Sequence, residues 1–124
     1  MKIPLYQVDA FTSKIFKGNP AAVCPLKNWL PDKVMQDIAK ENNLSETAFF
    51  IKNNTEFQIR WFTPKTEIDL AGHPTLATAH VILNELKMDF KEIIFKTKIK
   101  DTLTVTYDQN IFTMNFPSRP PKLE

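Results

Sequence analysis

The stretch Glu67 to Leu86, EIDLAGHPTLATAHVILNEL, sets the narrowest limit on what this chain can fold into. A charged, alternating lead-in (Glu67, Ile68, Asp69, Leu70) runs into Ala71-Gly72-His73-Pro74. The spacing then predicts a helix carrying Leu76, Ala77, Ala79, Val81, Ile82, Leu83 and Leu86. Those apolar positions spread around most of the helix circumference, and a helix of that kind is buried by its neighbours. A central helix wrapped by the strands of the rest of the chain is therefore expected.

The start of this helix is where chemistry is expected. Pro74 suits the first helical position, because the N–H it lacks has no intrahelical acceptor there. Gly72 permits a tight turn or the close approach of a ligand. The free N–H groups and the positive end of the dipole attract a carboxylate or a phosphate. His73 stands at that mouth, either as an N-terminal hydrogen bonder of a buried helix or as a proton carrier.

The remainder reads as strands with one further helix. Residues 2 to 11 alternate like a strand. Gly18-Asn19-Pro20 is a turn, and Ala21 to Pro25 a short apolar strand in which Cys24 reads as a buried small hydrophobe. Pro31 and Asp32 open an amphipathic helix of about three turns that Asn42-Asn43 end. Its inner face is Val34, Met35, Ile38 and Ala39, so it belongs on the outside of the sheet. Ala48 to Ile51 is a buried strand, Asn53-Asn54-Thr55 turns the chain, and Phe57, Ile59 and Trp61 alternate in its hairpin partner. Beyond the central helix, Glu92 to Lys98, Leu103 to Tyr107 and Ile111 to Phe116 form a meander. The lysines at 87, 91, 96, 98 and 100 alternate with acids and read as a solvated sheet edge. The fold class is α+β: a mostly antiparallel sheet curled around a central helix, with a second, outer helix. Residues 1–117 are read as one lobe and 118–124 as a proline-stiffened exit linker.

Composition narrows the function classes. The chain has 124 residues, 43% hydrophobic with 10 Phe, which suffices for one core. A net charge of +2 without a block of like charges gives no nucleic-acid footprint. The single cysteine excludes an internal disulfide. No run approaches the length that spans a bilayer, and MKIPLYQVDAF does not read as a signal peptide, so a cytoplasmic protein that touches no membrane is expected. There is no Gly-rich phosphate loop and no histidine or cysteine pair at metal-ligand spacing, so neither a metal nor a cofactor is expected.

Glu46, beside Ser45, heads the Ala48 to Ile51 strand. A carboxyl partly shielded from water by Phe49 and its neighbours suits general acid–base work near neutral pH; the alternative is a local cap or a surface carboxylate. His80, within the apolar helix, reads as a satisfied core or groove histidine. Asp9-Ala10-Phe11 and Asn19 are candidates for the same pocket.

Four stretches occur in order: Val8-Asp9-Ala10-Phe11, Gly18-Asn19-Pro20-Ala21-Ala22-Val23, Leu44-Ser45-Glu46-Thr47-Ala48-Phe49, and Glu67 to Thr75. Together they resemble the N-terminal lobe of the phenazine-biosynthesis PhzF-like family, within the diaminopimelate-epimerase-like fold. The resemblance implies two similar lobes, each a sheet curled around a central helix, with the active site in the cleft between them. It implies Glu46 as the acid–base group and His73 beside the substrate as a second catalytic residue. Ser45, Gly72, Pro74, Thr75 and Asn19 then surround a small carboxylate substrate. The reaction it implies is a cofactor-independent proton shift on an acid of the trans-2,3-dihydro-3-hydroxyanthranilate type. Related epimerases and racemases use paired thiols; Ala71 stands where this lobe's thiol would be, which argues against an amino-acid epimerase or racemase. The resemblance also implies a second lobe that these 124 residues do not include: either the chain is a fragment, or the missing wall comes from another polypeptide or another copy. A homodimer or association with a second lobe is therefore expected, and a catalytically silent half-domain acting in binding or oligomerisation is the alternative.

Overall fold

Alternation along the strands decides which helix each face of the sheet receives. The computed structural model describes residues 4–8, 21–69, 71–87, 91–99, 101–108 and 111–115, with the backbone alone described at 72, 73, 108, 111 and 112. Its elements are β1 (Tyr6–Val8), β2 (Ala21–Leu26), α1 (Asp32–Asn42), β3 (Glu46–Asn53), β4 (Glu56–Phe62), β5 (Glu67–Ile68), α2 (Gly72–His80), β6 (Glu92–Lys96), β7 (Thr102–Asp108) and β8 (Ile111–Asn115). The strands form one sheet in the order β1-β2-β3-β4-β6-β7-β8, with β5 pairing β4 off that path. Two neighbouring pairs are parallel, β2 with β3 and β4 with β6; the others are antiparallel. This is the expected α+β layout.

Each parallel pair needs a crossover, and each crossover carries a helix. The two steps run the same way across the sheet, but β4 and β6 run opposite to β2 and β3. Crossovers of one hand then put α1 and α2 on opposite faces. The packing agrees. Ala21, Val23, Ala48, Phe50, Ile59 and Trp61 form one buried cluster with Ala77, Ala79, Val81 and Ile82 of the central helix. Cys24, Phe49 and Phe62, on the other face, pack with Met35 and Ala39 of α1. The α2 contacts are made through alanines with no exposed surface, which lets a helix lie close against a sheet already filled by Trp61, Phe57 and Phe95.

Local signals set most boundaries. Asn43 ends α1 in the left-handed region (φ 53°) and donates its N–H to the Ala39 carbonyl. Asn54 (φ 61°) makes the tight β3–β4 turn. Pro25 lies past the stretch of β2 that β1 pairs, so its missing N–H breaks no bond to β1.

Three readings are corrected. The first strand, expected from residue 2, begins only at Tyr6, since Pro4 and Leu5 are not strand; it is described over Tyr6–Val8, and residues 9–11 of the expected range lie outside the described residues. The lysine-rich segment is not a sheet edge: β6 lies between β4 and β7, and only the side chains facing away from α2 reach water. The central helix is not α-helical throughout. Val81–Glu85 is a π-helical turn in which the Leu86 N–H bonds the Val81 carbonyl at 2.9 Å. An apolar pattern all round the helix cannot signal such a change of period. The exit linker at 118–124 lies outside the described residues.

Cys24 is fully buried, and that burial pushes its thiol from 9.0 up to about 12. Above about pH 9 the unfolded chain releases this proton while the folded chain keeps it, so stability must fall with rising pH by about 1.4 kcal/mol per unit. Urea unfolding near pH 9 and pH 10.5 should show wild type losing about 1.5 kcal/mol more than Cys24→Ala. Equal losses would contradict the burial.

Candidate functional site

The mouth of α2 is built from β4 outward. β5 pairs back on β4, Ile68 against Trp61 and Glu67 against Phe62, and so delivers the chain to Ala71. Ala71 is the N-cap residue, extended at φ −146°, and among the described residues no side chain caps the helix there. The helix begins at Gly72, so Pro74 is the third helical residue rather than the expected first. Proline is tolerated at either place, since no N–H in the first turn has an intrahelical acceptor. The backbone amides left over at this end are those of Gly72 and His73.

Two buried hydrogen bonds hold the mouth. Trp61 donates its indole N–H to Thr75 Oγ1 at 3.0 Å, and Thr75 donates its hydroxyl to the Ala71 carbonyl at 2.6 Å. Thr78 repeats the second pattern onto the Pro74 carbonyl at 2.7 Å. Thr75 is fully buried with its hydroxyl engaged on both sides. Its side chain therefore locks Ala71 to the sheet, and Pro74 is likewise buried.

Glu46 is the first residue of β3, half-buried, paired with Ala21. Side chains alternate along a strand, so Glu46 shares the face of Ala48 and Phe50, the face that α2 covers. Ala48 pairs with Trp61, which holds Thr75. Glu46 stands two residues before Ala48, about 6.6 Å along the strand. Phe49, expected to shield this carboxyl, points the other way and packs edge-on against Phe62 at 5.6 Å on the α1 side. Ser45 is exposed just ahead of the strand. The side chain of His73, and Asp9, Ala10, Phe11 and Asn19, lie outside what is described. His80, half-buried, has the Asn84 amide at 3.1 Å from Nδ1. Among the described residues no group of three or more His, Cys, Asp or Glu is placed to hold a metal ion, and no helix is long and apolar enough to cross a membrane.

An ionic cluster on the α1 face escaped the sequence reading. Arg60 bonds both oxygens of Glu67, Nε at 2.7 Å and Nη2 at 2.8 Å, and pairs with Asp32 at 3.0 Å. Its guanidinium lies 5.5 Å from the ring centres of both Trp29 and Phe62. Burial works to raise the Glu67 carboxyl, but hydrogen bonds and charge from Arg60, with Lys98, outweigh it and hold it below the usual range. The Glu67 hydrogen bond is the chief reason that the Arg60 guanidinium is held above its ordinary value, against burial. A hairpin register through Thr63-Pro64-Lys65 was the signal available for this pair.

Comparison with known proteins adds a lineage. The family model described as phenazine biosynthesis-like protein, PhzC-PhzF, matches residues 8–120. An uncharacterized isomerase of Pseudomonas aeruginosa is 46% identical over 122 residues, covering 98% of this chain and 47% of the relative. One from Halalkalibacterium halodurans is 47% identical over 126 residues, covering 100% of this chain and 47% of the relative. A crystal structure of a PhzF-family phenazine biosynthesis protein from Enterococcus faecalis superposes with TM-score 0.84 at 47% identity, covering 99% of this chain and 48% of that one. The chain thus spans about half the length of the relatives it matches.

Thr75→Val should strand the Trp61 indole N–H in the core and lower the unfolding free energy by about 1–3 kcal/mol. Thr75→Ser keeps the acceptor and should lose clearly less. Urea midpoints of the two variants decide it; equal losses would mean that the bond is not what holds the mouth.

Proposed function

The chain belongs to the phenazine biosynthesis-like protein family, and from that premise we propose that it forms one lobe of an isomerase that shifts a proton on a small cyclic carboxylic acid. The relatives named as isomerases support the reaction class. The observation that carries the reading is that Glu46, half-buried at the head of β3, shares the sheet face covered by α2.

In this reading the substrate carboxylate lies at the mouth of α2. The Gly72 and His73 amides and the dipole end hold it there. Pro74 and Thr75 fix the turn behind those amides, and Ser45 and Asn19 border the substrate. The Glu46 carboxylate removes a proton from one ring carbon, becomes a carboxylic acid, and returns the proton to another carbon. Protons balance, and no oxidant, metal or organic cofactor enters the scheme. His73 orients the substrate and serves as a second proton carrier. Ala71 offers no thiol, so the two-thiol chemistry of an epimerase has no base on this lobe. The opposite wall of the cleft comes from a further lobe or a second copy of the chain.

Isomerisation of a dihydro-hydroxyanthranilate-type acid should fall by about 10²–10⁴-fold in Glu46→Gln, the usual worth of a positioned general acid–base group. Equal rates in wild type and variant would remove Glu46 from the mechanism. No turnover by either, with a monomer mass in gel filtration, would favour the other reading, a silent half-domain.

A further inference from the structure

The face of the sheet that carries α1 holds a groove of about 470 Å³, away from the mouth of α2, bordered by Trp29, Gln58, Arg60, Lys96 and Lys98. Its size is that of a small-molecule site. Its polar groups share one property: those left over are donors. Gln58 spends its Oε1 on the Trp29 indole N–H at 3.0 Å, which leaves its NH₂ without a partner among the described residues. Arg60 is committed to Glu67 and Asp32. Both Glu67 oxygens are taken, one of them also by Lys98 at 3.3 Å. Lys96 donates to Thr102 Oγ1 at 2.7 Å and pairs with no carboxylate among the described residues. Arg60 and Lys98 share Glu67 and Asp32, which leaves Lys96 as the lining cation without a carboxylate partner among the described residues. The half-buried Trp29 indole adds an apolar wall.

A wall of free donors, a lysine without a carboxylate partner among the described residues and an aromatic side together select an anion with a flat apolar body. We propose that this groove is a second binding site, one that takes an aromatic carboxylate. Lys96, Lys98 and the Gln58 amide meet the carboxylate, and Trp29 lies against the ring. Because the site is on the other side of the sheet, it stands or falls independently of the reaction proposed above.

The two tryptophans, Trp29 in the groove and Trp61 beneath the mouth of α2, report separately through their indole N–H resonances. Titrating the full chain with naphthalene-2-carboxylate should shift the Trp29 resonance saturably. Lys96→Met and Lys98→Met should each weaken that response at least fivefold, and Lys33→Met, on exposed α1 surface, should leave it unchanged. Naphthalene-2-carboxamide, which lacks the charge, and acetate, which lacks the ring, should each bind at least tenfold more weakly. An unmoved Trp29 resonance, wild-type affinity in both groove variants, or equal binding of the carboxamide would overturn the proposal. A shift confined to Trp61 would do the same while leaving the mouth of α2 as the carboxylate site.

Discussion

The indole N–H of Trp61 and the hydroxyl of Thr75 meet in a part of the core that water does not reach. Left unpaired there, either group would cost more than a surface hydrogen bond returns. Because the same hydroxyl also grips the Ala71 carbonyl, the bond does more than join a helix to a sheet. It sets the backbone just before Gly72 relative to β4, and through the Trp61–Ala48 pairing relative to β3. A strand that begins with a carboxylate and a helix whose first amides have no intrahelical acceptor are thus tied to one rigid frame. Rigid support of this kind is what a site needs to hold a reactant in one geometry.

The sheet separates two kinds of environment. On the α2 side the core is apolar, and its polar members are threonines whose hydroxyls turn back onto the helix backbone. On the α1 side an arginine lies close to the rings of Trp29 and Phe62 and is held by two carboxylates. Glu67 belongs to that second environment, yet it lies in β5, which leads directly into α2. The ionic cluster therefore anchors the lead-in strand from outside while Trp61 anchors the helix from inside. Acid should loosen the outer anchor first: the Glu67 carboxyl sits below its ordinary range, so its stabilisation is present near neutrality and is lost as pH falls through its folded-state value.

Much of this was legible in the residues, for physical reasons that differ by element. The strand Glu56–Phe62 shows its faces because its period is two and its inward side chains are large. The central helix was recognisable because apolar residues surround it, yet that same property hid its π-helical end, where no polar stripe marks the change of period. Side-chain facing was misjudged at Phe49, a neighbour of Glu46 in sequence but on the opposite face of the pleat. The lysines beyond the helix were misread because composition reports exposure and says nothing of strand order. In the Arg60–Glu67–Asp32 cluster only the Arg60–Glu67 pair had a local trace, the β4–β5 hairpin, while Asp32 reaches Arg60 from α1 by tertiary packing. At the mouth of α2, the residue types and their order suggested the chemistry, while the role of Thr75 as a fastener emerged only from its two hydrogen bonds.

The account turns on the Glu46 carboxyl and the first amides of α2 sharing one hollow. The most direct test is a pH titration of the Gly72 and His73 backbone amide resonances in wild type and in Glu46→Gln. If the carboxylate faces those amides, their shifts follow its ionisation, and that step disappears in the variant while the ionisation of His73 itself remains. Identical titration curves in the two proteins would mean that the carboxylate looks elsewhere, and the proton shift assigned to this lobe would have no base.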